Sequence, residues 1–125
     1  MPRYLVLLPA PEQEWENLPP EAHAAGMRAH ERFGAVLRAG GHTQILASPL
    51  TPSSEALSLR PDGSGGAVVT DGPFSETVEQ IAGFYLIETD DPDGLVECCR
   101  HLAASGDLIE LRKLAGPGDD RAGQP

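Results

Sequence analysis

Apolar residues along the chain form two kinds of pattern, and both are interrupted by Gly- and Pro-rich segments. Four short apolar runs that end at turn residues predict β-strands. They cover residues 4–8, 42–50, 83–89 and 108–114. Two longer segments repeat apolar residues at helical spacing instead. The order of these elements is strand, helix, strand, then strand, helix, strand.

The first helix is predicted to begin near Pro19–Glu21, since proline suits the first helical turn and an acidic residue complements its dipole. It is predicted to end at Gly40 and Gly41. One face of this helix carries Gly26, His30, Phe33 and Leu37. The second helix is predicted to begin at the capping residue Asp91, which is followed by proline, and to close at Gly106.

A β-hairpin is predicted between the two halves. Its strands would be 56–59 and 67–70, and its turn the segment 62–66. The whole pattern predicts an α+β sheet with both helices on one face. The other face would then be apolar and uncovered, so we expect a homodimer packed sheet to sheet.

Length and charge narrow the class of protein. A chain of 125 residues predicts one domain over residues 1–114 and a flexible tail over 115–125. The net charge of −10 argues against nucleic-acid binding, which depends on Lys and Arg. We expect no membrane association and a cytoplasmic location, because no signal peptide or spanning segment is apparent.

Sequence motifs for cofactors and metals are missing. No phosphate loop, dinucleotide fingerprint, nucleophile elbow or zinc spacing occurs, so we expect no cofactor and no metal. The adjacent Cys98 and Cys99 suit a buried apolar position better than a disulfide or a metal site.

Two residues are the leading candidates for chemistry. His30 shares the apolar face of the first helix, where it is either a core histidine bonded to a carbonyl or a proton-transfer group. Asp71 begins a segment with three carboxylates, which is either a solvated turn or a site loop. A carboxylate beside His30 would fix its tautomer and raise its basicity. We therefore expect His30 and Asp71 to meet beside an open cavity.

The eighteen residues 71–88, DGPFSETVEQIAGFYLIE, resemble the signature of the DGPF branch of the YCII-related family. The apolar first strand also fits, as do the residues Trp15, Met27–Phe33, Leu37, Gly40, Gly41 and Ile109–Arg112. The resemblance implies a ferredoxin-like βαββαβ core with an added hairpin, which dimerises into an α+β barrel similar to muconolactone isomerase. It also implies a site that contains His30 and Asp71.

Two functions follow from the resemblance. In the first, His30 and Asp71 transfer a proton in an elimination or isomerisation of a small molecule, and Arg112, Phe74 and Tyr85 bind the substrate. Arg112 is equally suited to an ion pair with Glu110. In the second, the chain is a non-catalytic dimeric module linked to an extracytoplasmic-function sigma factor, because family members often accompany such factors.

Overall fold

The computed structural model describes residues 1–11, 17–74 and 79–116, and leaves the side chain of Glu79 undescribed. Trp15 and most of the expected tail, from residue 117 onward, lie outside these ranges. The elements follow in chain order as β1 (Arg3–Pro11), α1 (Pro20–Ala39), β2 (Thr43–Pro49), a short 3-10 turn (Ser53–Glu55), β3 (Leu57–Pro61), β4 (Ala67–Asp71), β5 (Glu79–Glu88), α2 (Pro92–Ala104) and β6 (Glu110–Lys113).

Four strands form one antiparallel sheet in the order β2-β5-β1-β6. The two central strands are therefore the ones that precede each helix, as in a ferredoxin-like fold. The remaining two strands, β3 and β4, pair only with each other. This arrangement confirms the α+β class and the added hairpin.

The core lies between one face of the sheet and the two helices. Val6 and Ile87 point inward from the central strands and meet Phe33 and Leu37 of α1. Leu95, Cys98, Cys99 and Leu102 complete this core from α2. Because side chains alternate along a strand, the residues between these core positions face away from the helices.

Both helices begin and end where the sequence predicts. Pro19 precedes the first turn of α1, and the Asp91 side chain accepts a hydrogen bond of 3.0 Å from the backbone N–H of Gly94 in α2. Gly41 and Gly106 follow the two helices with φ of 78° and 115°. Glycine tolerates these left-handed values, which turn the chain back toward the sheet.

A buried histidine joins the turns that lead into β2 and α2. The Nδ1 atom of His42 lies 2.7 Å from the Thr89 hydroxyl, and both residues are buried. The Thr89 hydroxyl oxygen also accepts a hydrogen bond from the backbone N–H of Asp91. The sequence offered no partner for His42, since these residues are far apart along the chain.

The central strands are longer than their apolar runs. Pairing of β1 with β5 continues through Pro9 to Pro11, although proline was expected to stop the strand. The register shifts between Leu8 and Pro9, and this bulge accommodates the proline. At the other end of the chain, β6 is shorter than expected, since its pairing with β1 extends only from Glu110 to Lys113, and the exposed Leu108 lies before it.

Cys98 and Cys99 are free and buried in the core. Burial raises the pKa of both thiols, that of Cys99 to about 11, and Cys98 adds to the effect on Cys99. These thiols are therefore protonated near neutral pH. Neither helix in the described ranges is long and apolar enough to cross a bilayer.

We predict that Phe33→Ala lowers the free energy of unfolding by about 3–5 kcal/mol, because it empties a fully buried position. Chemical denaturation followed by circular dichroism measures this change. The matched control is Phe74→Ala, at a residue that is 63% exposed, which should cost less than about 1 kcal/mol. Equal losses in both variants would contradict the assignment of the core.

Candidate active site

One end of the sheet opens into a cavity of about 940 Å³. Its walls come from α1, the second half of β1, β2 and the residues just after it, the middle of β5, and the connection between α2 and β6. His30, Tyr85 and Asp107 line this cavity, as do the apolar residues Met27 and Leu108. The cavity therefore combines apolar walls with a small group of titratable side chains.

His30 projects from α1 into the cavity. Gly26 and Gly34, one turn before and one turn after it, also line the wall. The ring therefore stands between two positions without side chains. The side chain is about one-third exposed, so solvent and small molecules can reach it.

Each ring nitrogen of His30 has a partner. Nε2 lies 3.0 Å from Oδ2 of Asp107, and Nδ1 lies 2.6 Å from the Tyr85 hydroxyl. An ionised carboxylate only accepts hydrogen bonds, so Nε2 of the neutral ring carries the proton and donates to Asp107. Nδ1 is then an acceptor, and the Tyr85 O–H donates to it.

Core packing positions Tyr85. Its ring meets Phe33 edge to face, with centroids 4.9 Å apart, and lies nearly parallel to the His30 ring. Since His30 and Phe33 are three residues apart on α1, the same helical face sets both contacts. Burial, with a smaller contribution from the charge of Asp107, raises the pKa of Tyr85 above 10.0. The phenol is therefore protonated at neutral pH.

Asp107 reaches the cavity from the connection that follows α2. Gly106, with its left-handed φ of 115°, turns the chain so that this connection passes His30. The Asp107 side chain is partly exposed. Its carboxylate accepts the hydrogen bond from Nε2 and so fixes the orientation of the imidazole.

The expected residues are only partly brought together. His30 and Tyr85 line the cavity and bond to each other, whereas Asp71, Phe74 and Arg112 are described residues outside its wall. Among the residues that the structure describes, the carboxylate paired with His30 is that of Asp107. A catalytic role of Asp71 stays a prediction.

Other contacts involve the three residues outside the wall. Asp71 is exposed at the end of β4. Phe74 is exposed and packs under the Arg60 guanidinium, 4.7 Å from the ring centroid. Arg112 forms a 3.3 Å ion pair with Glu110, the alternative that the sequence left open. Their roles in substrate binding stay predictions.

Sequence reasoning missed Asp107. The available signal was an aspartate directly after the glycine that ends the second helix, in a short connection to the last strand. In the observed topology, this connection returns beside α1. Among the described residues, no group of three or more His, Cys, Asp or Glu side chains gathers in a way that would hold a metal ion.

The fold and the cavity place this protein in the class of single ferredoxin-like α+β domains, here with a histidine, a tyrosine and a carboxylate in one cavity. The sequence model of the YCII-related domain family matches residues 3–122, so the chain belongs to that family. It is also 41% identical over 69 residues to the uncharacterized protein R00369 of Rhizobium meliloti (strain 1021). That match covers 53% of this chain and 55% of the relative, about half the length of each.

We predict that Asp107→Asn lowers the pKa of Tyr85, because a nearby negative charge opposes ionisation of the phenol. The value should stay above 10.0, since burial is the larger cause of the shift. A pH titration of the tyrosine ¹³Cζ signals measures this pKa, with Tyr85→Phe to assign them. Asp93→Asn, at an exposed residue of α2, is the matched control. An unchanged or higher pKa in Asp107→Asn would contradict the electrostatic contact.

Proposed function

We propose that this protein is an enzyme that moves a proton on a small organic molecule, in an elimination or an isomerisation. The observation that carries the proposal is the chain of hydrogen bonds from the Tyr85 phenol through His30 to Asp107, beside an open cavity. An imidazole that is oriented by a carboxylate is a common general base and acid.

In the forward direction, a substrate C–H or O–H bond breaks as its proton passes to the Tyr85 oxygen. The original phenolic proton passes to Nδ1 of His30, and the electron pair stays on the substrate. His30 becomes an imidazolium that faces Asp107. Because its raised pKa disfavours a tyrosinate, Tyr85 gives its proton to His30 only as it gains the proton of the substrate.

The second half returns the proton. If His30 delivers it through Tyr85 to another atom of the substrate, the result is an isomerisation. If the electron pair of the broken C–H bond forms a double bond while a leaving group departs with the electrons of its own bond, the result is an elimination, and His30 then gives the proton to the leaving group or to water. In this scheme Tyr85 touches the substrate, His30 is the base and acid, and Asp107 is a positioning residue.

We predict that His30→Gln slows the proton transfer by about 10²–10⁴-fold, because glutamine cannot take up a proton. Purified protein is incubated in D₂O with small ring-containing acids, lactones and hydroxyquinones, and NMR records deuterium uptake and new products. The matched control is His101→Gln, an exposed residue near the end of α2, which should react as the wild type does.

Either of two results would contradict the proposal. One is a compound that wild type and His30→Gln convert at equal rates. The other is an absence of exchange and conversion with every compound in the panel, which would favour the non-catalytic alternative.

We also propose that the protein forms a homodimer through the uncovered face of the sheet. Leu5 of β1 is opposite Leu86 of β5, and Leu86 is opposite Leu46 of β2, so three leucines form a row across this face. Leu46 is 53% exposed. A second copy that packs on this row would bury it, and symmetric dimers are the commonest oligomers.

We predict that Leu86→Arg converts the dimer to a monomer, because it places a charge at the centre of the apolar row. Sedimentation equilibrium measures the mass. Val96→Arg is the matched control on the opposite side of the sheet, at an exposed position of α2, and should leave the mass unchanged. A wild-type protein with the mass of one chain would rule out this dimer.

One observation favours the second candidate function, a binding module linked to a sigma factor. The hairpin strands β3 and β4 expose Leu57, Leu59 and Val69 on one face, and each is more than half exposed. Apolar patches of this kind often mark partner surfaces.

Two further interpretations of the sequence stay predictions. The assignment to the DGPF branch rests on residues 71–88, and the cytoplasmic location stays a prediction.

A further inference from the structure

We infer that Arg38 binds the carboxylate of the substrate, so that the cavity selects small organic monoacids. This inference rests on the proposed function for the position of the reacting atoms. Arg38 lies in the last turns of α1 and lines the cavity. It is the one Lys or Arg of the described ranges that does so. The sequence had offered Arg112 for this task, with an ion pair to Glu110 as the equal alternative.

Arg38 is free to bind a ligand. Arg3, Arg100 and Arg112 have carboxylate partners, and Arg60 lies over Phe74. The Arg38 side chain makes no hydrogen bond or ion pair with another residue in the part of the chain that the structure describes. An unpaired guanidinium at the wall of a cavity offers two parallel N–H donors, the geometry that a carboxylate prefers.

The guanidinium points back along α1 toward His30. A β-carbon at Gly34 would lie 3.5 Å from an Arg38 guanidinium nitrogen, so the charged group is beside Gly34. Gly34 is one turn from His30, about 6 Å along the helix axis. A carboxylate held by Arg38 therefore places the carbon atoms next to it near the hydroxyl of Tyr85 and the imidazole of His30.

Gly34 leaves room for this ligand. Glycine inside a helix costs about 1 kcal/mol relative to alanine. The packing around Gly34 does not require it, because an added β-carbon would meet no atom closer than 3.5 Å. The missing side chain instead leaves the wall open between Arg38 and His30.

Two acidic residues near His30 set the direction of the ligand. The Asp107 carboxylate accepts a hydrogen bond from Nε2–H of His30, and Glu31 lines the cavity one residue from His30. Both repel a carboxylate from that end of the cavity. The charged end therefore lies at Arg38, and the uncharged end lies beside His30 and Tyr85.

Phenylacetate and its neutral amide, phenylacetamide, test the inference because they differ mainly in charge. Binding is measured by NMR titration with wild type, Arg38→Gln and the matched control Arg32→Gln. Arg32 is an exposed residue of α1 that does not line the cavity. We expect wild type and Arg32→Gln to bind phenylacetate at least about tenfold more tightly than phenylacetamide, and Arg38→Gln to lose this preference. Gly34→Leu, which keeps the charge and fills the gap, should also lose phenylacetate binding.

Several results would overturn the inference. These are equal binding of acid and amide, an unchanged preference in Arg38→Gln, or no binding of phenylacetate at millimolar concentration. Preferential binding of phenethylamine would point to Glu31 and overturn it as well. The proposed function fails separately. If phenylacetate binding depends on Arg38 but no compound in the panel exchanges deuterium, proton transfer is contradicted and the role of Arg38 is kept. If a compound exchanges deuterium and its KM is unchanged in Arg38→Gln, the role of Arg38 is contradicted and proton transfer is kept.

Discussion

The edge-to-face contact between Phe33 and Tyr85 holds the helix and the sheet in one relative position. Phe33 is fully buried, and Tyr85 belongs to a central strand, so neither ring can shift without opening the core. His30 is three residues before Phe33 on α1, and its bond to the Tyr85 hydroxyl depends on this packing. The contact that stabilises the fold therefore also sets the geometry of the site.

Most helices and strands are predictable because residues at their ends, chiefly proline, aspartate and glycine, favour a start or a stop at that position. Pro20 and Asp91 mark the helix starts, and Gly41 and Gly106 mark the turns after the helices. The strand ends were less predictable. Pro9 stays in β1 because a bulge accommodates it, and a bulge depends on the partner strand rather than on the local sequence.

The site was predictable only in part. His30 stands out because a histidine interrupts an apolar helical face, and Tyr85 lies in the clearest apolar run. The choice between Asp71 and Asp107 is different, since both are adjacent to glycine in turns. Which turn comes to His30 depends on the three-dimensional path after α2. That path places Asp107 3.0 Å from the ring, whereas Asp71 belongs to the separate hairpin.

The two adjacent thiols give the protein an internal reporter. Cys98 and Cys99 are protonated and covered by the core, and the Cys98 thiol contacts the backbone of α1, so an alkylating reagent reaches them only when α2 separates from α1 and the sheet. Their reaction rate therefore follows the opening of this helix. Because only Ser105 and Gly106 separate α2 from Asp107, this opening also acts on the segment that holds the carboxylate beside the imidazole.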